Sequence, residues 1–297
     1  MTISYRVIVG KRLLADEIKA VEVIIQAVFS EIDDLFNNWN PKSEISRLNR
    51  LKEHVKVPIS SKMYDFLGQV EGIVTLTKGL FDPTIHPLYE LWKSKLQGGS
   101  IPTSTEIKAL SPAVGWDKIH FQDQIFFKDH DKTSLDLGGI AKGHCVDLIV
   151  ERLINAKFSD LYVEWGGEIR TSGQHPDHRP WRVFISRLGD RNRQRGIGEV
   201  DLVNVALATS GDYLQNWSVN IDGKRVSYSH IIDPRTYYPL RMAHGSIASA
   251  SIMAPSCAMA DGIATAVMLL DNVGEAEIWI KQLQKQYPVY ECWLHSR

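Results

Sequence analysis

Apolar residues recur at spacings of three and four across residues 14–36, with Ile18, Val21, Ile25, Val28 and Ile32 in one stripe. That spacing predicts an amphipathic helix, and the polar run at 37–40 ends it. A second helical pattern covers 62–78, with Gly79 as its stop. Shorter helical patterns follow at 84–95 and 103–111, the latter capped by Pro102-Thr103-Ser104. Ahead of all these, residues 2–9 (TISYRVIV) read as a strand. Beyond residue 111 the period shortens. Strand-like runs at 118–121 and 124–127 lead into LDLGGIAKG and a helix reaching about Asn155. Runs at 160–171, 181–187, 198–208 and 217–231 follow, the last holding Asp222-Gly223 between alternating segments, a strong hairpin signal. A strand at 246–254, helices at 259–271 and 273–285, and a strand at 288–294 complete the chain. Helices first, strands in the middle and both at the end predict an α+β fold. No linker-like stretch interrupts the 297 residues, so the expectation is one compact unit, 1–297, of two interlocked lobes sharing a cleft.

Composition narrows the function classes. With 44% apolar and 23% charged residues the chain is an ordinary globular one. Lys and Arg (34) nearly balance Asp and Glu (35), a net charge of -1, which argues against nucleic acid or an anionic membrane as partner. Cys145, Cys257 and Cys292 form no CxxC, so neither a zinc site nor a disulfide framework is expected. No apolar run is long enough for a signal or a membrane helix. The chain as written therefore reads as soluble and cytoplasmic, unless an export signal has been trimmed.

Three stretches carry candidate chemistry. Residues 134–144 (SLDLGGIAKGH) run from strand through a glycine pair into a helix, with Lys142 in the first turn. Free N–H groups at a helix start attract phosphate oxygens, although the spacing matches neither a P-loop nor GxGxxG. The segment reads either as a structural turn or as an anion site. Asp261 and Thr265 stand four apart on a predicted helix, so their oxygens share a face. With a backbone carbonyl they form a hard-oxygen corner suited to Mg²⁺; alternatively, Asp261 simply complements the helix N-terminus. His230 ends a strand before the turn opened by Asp233-Pro234, as a general base or as a structural histidine. Trp39, in a polar loop, either stacks on an aromatic ligand or caps the core.

Taken in order, the blocks NNWNPKSEISRLN, GLFDPTIHPLYELW, LDLGGIAKGHCVD, VEWGGEIRTSG, ATSGDY, SHIIDPRT and APSCAMADGIATA closely resemble the ApbE family, the FAD:protein FMN transferases. The match runs from about Trp39 to Leu270. The resemblance implies a flavin-binding cleft and a reaction that splits FAD. FMN would be attached by a phosphoester to a Thr or Ser hydroxyl of an acceptor flavoprotein, releasing AMP, with Mg²⁺ as the metal. It places metal ligands on Asp261, Thr265 and the backbone of Gly139. FAD contacts fall on Met1, Trp39, Phe81, Asp82, Pro83, Asp136, Lys142 and Ile232, and His230 matches a histidine suggested as base. Three departures stand out. Met1-Thr2-Ile3 replaces Met-Gly-Thr, Ala264 sits where some members carry a further carboxylate, and Tyr237 replaces the glycine of DPxTGxP. If position 237 requires a positive φ, tyrosine is strained there. Family members are typically exported and often lipid-anchored. The competing readings are an FAD pyrophosphatase yielding FMN and AMP, and a non-catalytic FAD-binding protein.

Overall fold

The computed structural model of the protein describes residues 3–186, 196–213 and 215–297. Its helices are α1 (Ala15–Phe36), α2 (Glu44–Asn49), α3 (Ser61–Leu76), α4 (His86–Gln97), α5 (Ser104–Leu110), α6 (Ala141–Asn155), α7 (Cys257–Val267) and α8 (Val273–Gln284). The first eight strands are β1 (Tyr5–Val9), β2 (Val57–Pro58), β3 (Ile119–His120), β4 (Ile125–Lys128), β5 (Leu161–Trp165), β6 (Glu168–Ser172), β7 (Trp181–Ser186) and β8 (Gly196–Leu202). Six more follow: β9 (Ala206–Gly211), β10 (Asn216–Ile221), β11 (Lys224–Asp233), β12 (Tyr238–Arg241), β13 (Ile247–Ala254) and β14 (Glu291–Ser296). The fold is α+β, as the order of patterns predicts.

A six-stranded antiparallel sheet, β1-β5-β6-β9-β13-β14, forms the centre. Strand alternation sends Leu161, Val163, Ala206, Ala208, Ala250 and Ile252 into the main core against α1, α3, α6 and α7. Their neighbours Tyr162, Ile169 and Leu207 point the other way, where the β7–β8 ribbon covers them with Trp181, Val183 and Leu202. A third cluster joins Leu88, Trp92 and Leu96 of α4 to Val219 of β10 and Ile232 of β11. Successive residues of β11 thus serve two cores: Ile231 packs in the main one, Ile232 in the small one. Residues 79–88 make the same passage, from Phe81 in the main core to Leu88 in the small one.

The differences from the sequence expectations have local causes. Ile18 is 46% exposed, and the buried stripe of α1 is Val21, Ile25, Val28, Ile32 and Phe36. The run 160–171 is two strands joined at Gly166-Gly167, both at positive φ. The run 198–208 is likewise split, by a turn in which Asn204 takes φ 54°. The helix expected at 259–271 starts earlier, because Ser256 caps it by accepting from Met259 N, and ends at Val267. The last strand lies at 291–296 rather than 288–294. Asp222-Gly223 does turn the β10–β11 hairpin, with φ of 49° and 76°, the paired positive angles of a type I′ turn. Among the described residues no helix is long and apolar enough to cross a membrane.

Candidate active site

Helix α7 is buried on nearly every side, so polar groups along it need partners. Asp261, in its middle, is 2% exposed. Its Oδ2 accepts the Gly143 N–H at 3.2 Å and lies 3.8 Å from Lys142 Nζ. One turn later Thr265 Oγ1 lies 3.1 Å from Ser210 Oγ on β9. Gly139 completes the corner: a Cβ there would stand 3.1 Å from Phe81 Cε2 and 3.2 Å from Thr265 Oγ1. The helices themselves meet closely, since a methyl at Gly143 would overlap the Cys257 carbonyl. Residues more than 120 positions apart thereby converge on one set of oxygens.

Electrostatics in this corner are strong because its two carboxylates are buried. Burial raises the Asp261 pKa, with the Lys142 ammonium pulling it down. Burial likewise pushes Glu168 of β6 up to about 8, opposed by the Lys142 ammonium, with which it is in direct contact, and reinforced by Asp261. Burial disfavours the Lys142 charge, yet Asp261 and Glu168 together hold its pKa above the ordinary lysine value. The first turn of α6 has no side-chain cap, and the Gly139 and Lys142 N–H groups take no partner among the described residues.

A hard divalent cation fits these donors. Asp261 Oδ1 accepts no hydrogen bond among the described residues, and the neighbouring donors are hydroxyl and backbone groups. No cluster of three or more His, Cys, Asp or Glu suited to a metal occurs among the described residues. A cation here would therefore rest on one carboxylate and neutral oxygens and would keep several waters, as Mg²⁺ does.

A second wall carries the remaining candidates. Asp136 N donates to Pro83 O at 2.8 Å, tying LDLGG to FDPT. Burial tends to raise the Asp136 pKa, but His86, 3.8 Å away, holds it below the usual value. Asp82 is engaged internally, accepting from Thr84 N and Oγ1 at 2.9 and 2.6 Å. Phe81 and Pro83 are buried beside it. His230 Nδ1 lies 3.1 Å from the Gln215 carbonyl; a carbonyl only accepts, so Nδ1 carries the proton and Nε2 is left with a lone pair. Burial lowers the His230 pKa below 6.5. Ile232 places its side chain in the small core. Trp39 is 80% exposed, with Lys93 Nζ 5.1 Å above its ring, so it does not cap the core. Met1 lies outside the described residues. Tyr237 does take a positive φ, 67°, and the loop keeps it through Tyr237 N to Asp233 O at 2.7 Å and Trp92 Nε1 to Tyr237 O at 2.9 Å.

Sequence reasoning gave no role to Glu168, Ser210 or His86. All three lie within the family-like blocks, but only the fold sets them beside Lys142, Thr265 and Asp136. Two cavities, of about 550 Å³ beside the 233–241 loop and about 410 Å³ behind α7, are lined by neither Asp261 nor Thr265.

Comparison with known proteins places the chain in a family. The family model described as "ApbE family" matches residues 1–290. A FAD:protein FMN transferase of Chlamydia pneumoniae is 39% identical over 284 residues, covering 95% of this chain and 86% of that protein. The one from Vibrio cholerae is 31% identical over 255 residues, covering 85% and 74%. Among solved structures, the ApbE protein of Thermotoga maritima superposes with a TM-score of 0.81 at 26% identity, covering 98% of this chain and 90% of that one. The flavin transferase ApbE of Vibrio cholerae gives 0.76 at 27%, covering 99% and 98%. On the family match over residues 1–290 and these relatives, the chain belongs to the ApbE family.

Proposed function

We propose that the chain, acting as one unit over residues 1–297, is an FAD:protein FMN transferase that moves FMN from FAD to a Thr or Ser hydroxyl of an acceptor flavoprotein and releases AMP. The observation that carries this reading is the convergence of Asp261, Thr265 and Gly139 beside the uncapped start of α6, where Lys142 stands. That is a place for a pyrophosphate with a divalent cation. Asp261, Thr265 and the Gly139 backbone would hold Mg²⁺, which when bound offsets charge developing on phosphoryl and leaving oxygens.

The chain's own groups account for the rest. Lys142 and the free N–H groups of Gly139 and Lys142 bind phosphate oxygens and fix their orientation. Trp39, exposed and backed by Lys93, offers a stacking surface for a flavin or adenine ring. Asp136 and the FDP segment form the wall that positions the cofactor. His230, neutral at physiological pH with Nε2 free, accepts the proton of the attacking hydroxyl. Each phosphoryl transfer breaks the pyrophosphate bond, forms one phosphoester, and leaves the hydroxyl proton on Nε2.

The test is incubation with FAD and Mg²⁺, with and without a protein carrying a flavinylation Thr or Ser, followed by denaturing electrophoresis for covalent flavin fluorescence. Acceptor-borne flavin is the expected result. Free FMN and AMP regardless of acceptor would instead identify a pyrophosphatase, and intact bound FAD a carrier.

A further inference from the structure

Glu168 has no task in the reaction as described, yet its setting is demanding. It opens β6 directly after the Gly166-Gly167 turn, is 1% exposed, and touches the Lys142 ammonium through Oε1. Its Oε2 is buried without a hydrogen-bond partner. Gly166 leaves room for it: a methyl there would stand 3.3 Å from Oε2 and 3.6 Å from Lys142 Cδ. An orphaned carboxylate oxygen in a dry site is destabilising, so packing alone is a poor reason for it.

Lys142 has two carboxylates in reach, Glu168 in contact and Asp261 at 3.8 Å. An ammonium seated on Asp261 would compete with a divalent cation for the same oxygens. Ala264, which is buried, contributes no charge. With Asp261, Glu168 and Lys142 all ionised, the corner keeps one negative charge; without Glu168 it is neutral. We infer that Glu168 is a positioning residue for Lys142, holding the ammonium off Asp261 and supplying the second negative charge that lets a divalent cation bind there. This rests on the metal reading proposed above.

The experiment uses Mn²⁺ alone as the probe, with the FAD-free full chain and free ion counted by electron paramagnetic resonance. An alkaline pH suits it, because burial raises the Glu168 pKa. Uptake by an Asp261→Asn protein is subtracted as background. Glu168→Gln keeps the side-chain shape and is expected to weaken Mn²⁺ binding about tenfold or more, the scale on which one charge at this range acts. In Glu168→Gln/Lys142→Met the ammonium and its counter-charge leave together, and affinity returns toward the wild-type value. Thermal unfolding of each metal-free variant separates lost binding from lost folding. Equal affinity for wild type and Glu168→Gln would overturn the inference while leaving the metal site standing, as would a double variant as weak as Glu168→Gln. A wild type with no Asp261-dependent uptake would overturn the metal reading and this inference with it.

Discussion

The oxygen corner and the Trp39 face are built in opposite ways. Asp261, Thr265, Gly139 and Lys142 sit on or beside two helices that meet at a glycine, α6 and α7, and both carboxylates there, Asp261 and Glu168, are buried, with Lys142 half-buried between them. Across the site, Trp39 lies in a loop at 80% exposure, and the 233–241 turn carries a tyrosine at positive φ. A rigid, dry corner suits a constant partner, the pyrophosphate and its cation, because fixed groups in low dielectric need no reorganisation. A loop-built, aromatic and open face suits a partner that arrives as a folded protein. The contrast implies that changes in the corner strike the chemistry, whereas changes on the open face strike affinity and handling of the acceptor.

Asp261→Asn attacks the rigid side directly and carries the largest expected effect. Mg²⁺-dependent AMP release should fall about 10³-fold or more, the several kcal/mol that metal stabilisation supplies. Equilibrium binding should still detect FAD, and full activity in this variant would remove Asp261 from the site. His230→Ala comes next, with transfer slowed about 10²- to 10⁴-fold, the range of general-base catalysis. The wild-type pH profile sharpens this point. The base works as neutral imidazole and burial lowers its pKa, so with Mg²⁺ saturating this group should cost rate only as pH falls below 6.5. A flat profile through that acid limb would argue against His230.

Arg170→Met tests the scaffold behind the corner. Asp147 accepts from Cys257 N and Ala258 N at the start of α7 and pairs with Arg170 at 2.8 Å. Removing the guanidinium leaves a buried carboxylate unpaired, which costs about 3–5 kcal/mol. Burial already raises Asp147 to about 6. The stability tied to its protonation is present in acid and lost as pH rises through that value. Denaturant titrations should therefore show a larger loss at pH 8 than at pH 5; an equal loss at both would deny the linkage. On the open face, Trp39→Ala should weaken FAD by about 1–3 kcal/mol if the ring stacks, read by fluorescence titration, and unchanged affinity would free Trp39 from the site. Tyr237→Gly should be small, about 1 kcal/mol in stability, because relief of the left-handed strain offsets the added freedom of the unfolded chain and leaves mainly the lost packing of the half-buried ring against the small core.

The same contrast marks what could be read from sequence. Asp261 and Thr265 are four apart on one helix, and LDLGGIAKG announces its turn, so half the corner is visible as local pattern. Glu168 and Ser210 reach it only through β6, β9 and the packing of α6, and no short-range spacing encodes that. The strong periodicity of α1 was legible although Ile18 faces out, whereas α2, six residues long, is too short to show a period. The run 198–208 looked like one strand because its turn has neither glycine nor proline; Asn204 supplies the left-handed angle instead. Ser256 as the cap of α7 was readable in principle, since serine precedes the apolar run.

The most direct measurement is the time course of AMP release against acceptor-bound flavin in one reaction containing FAD, Mg²⁺ and a flavinylation-competent acceptor. The account predicts one bound flavin for each AMP, with free FMN near background and both products lost in Asp261→Asn. AMP matched by free FMN, with the acceptor unmodified, would contradict it.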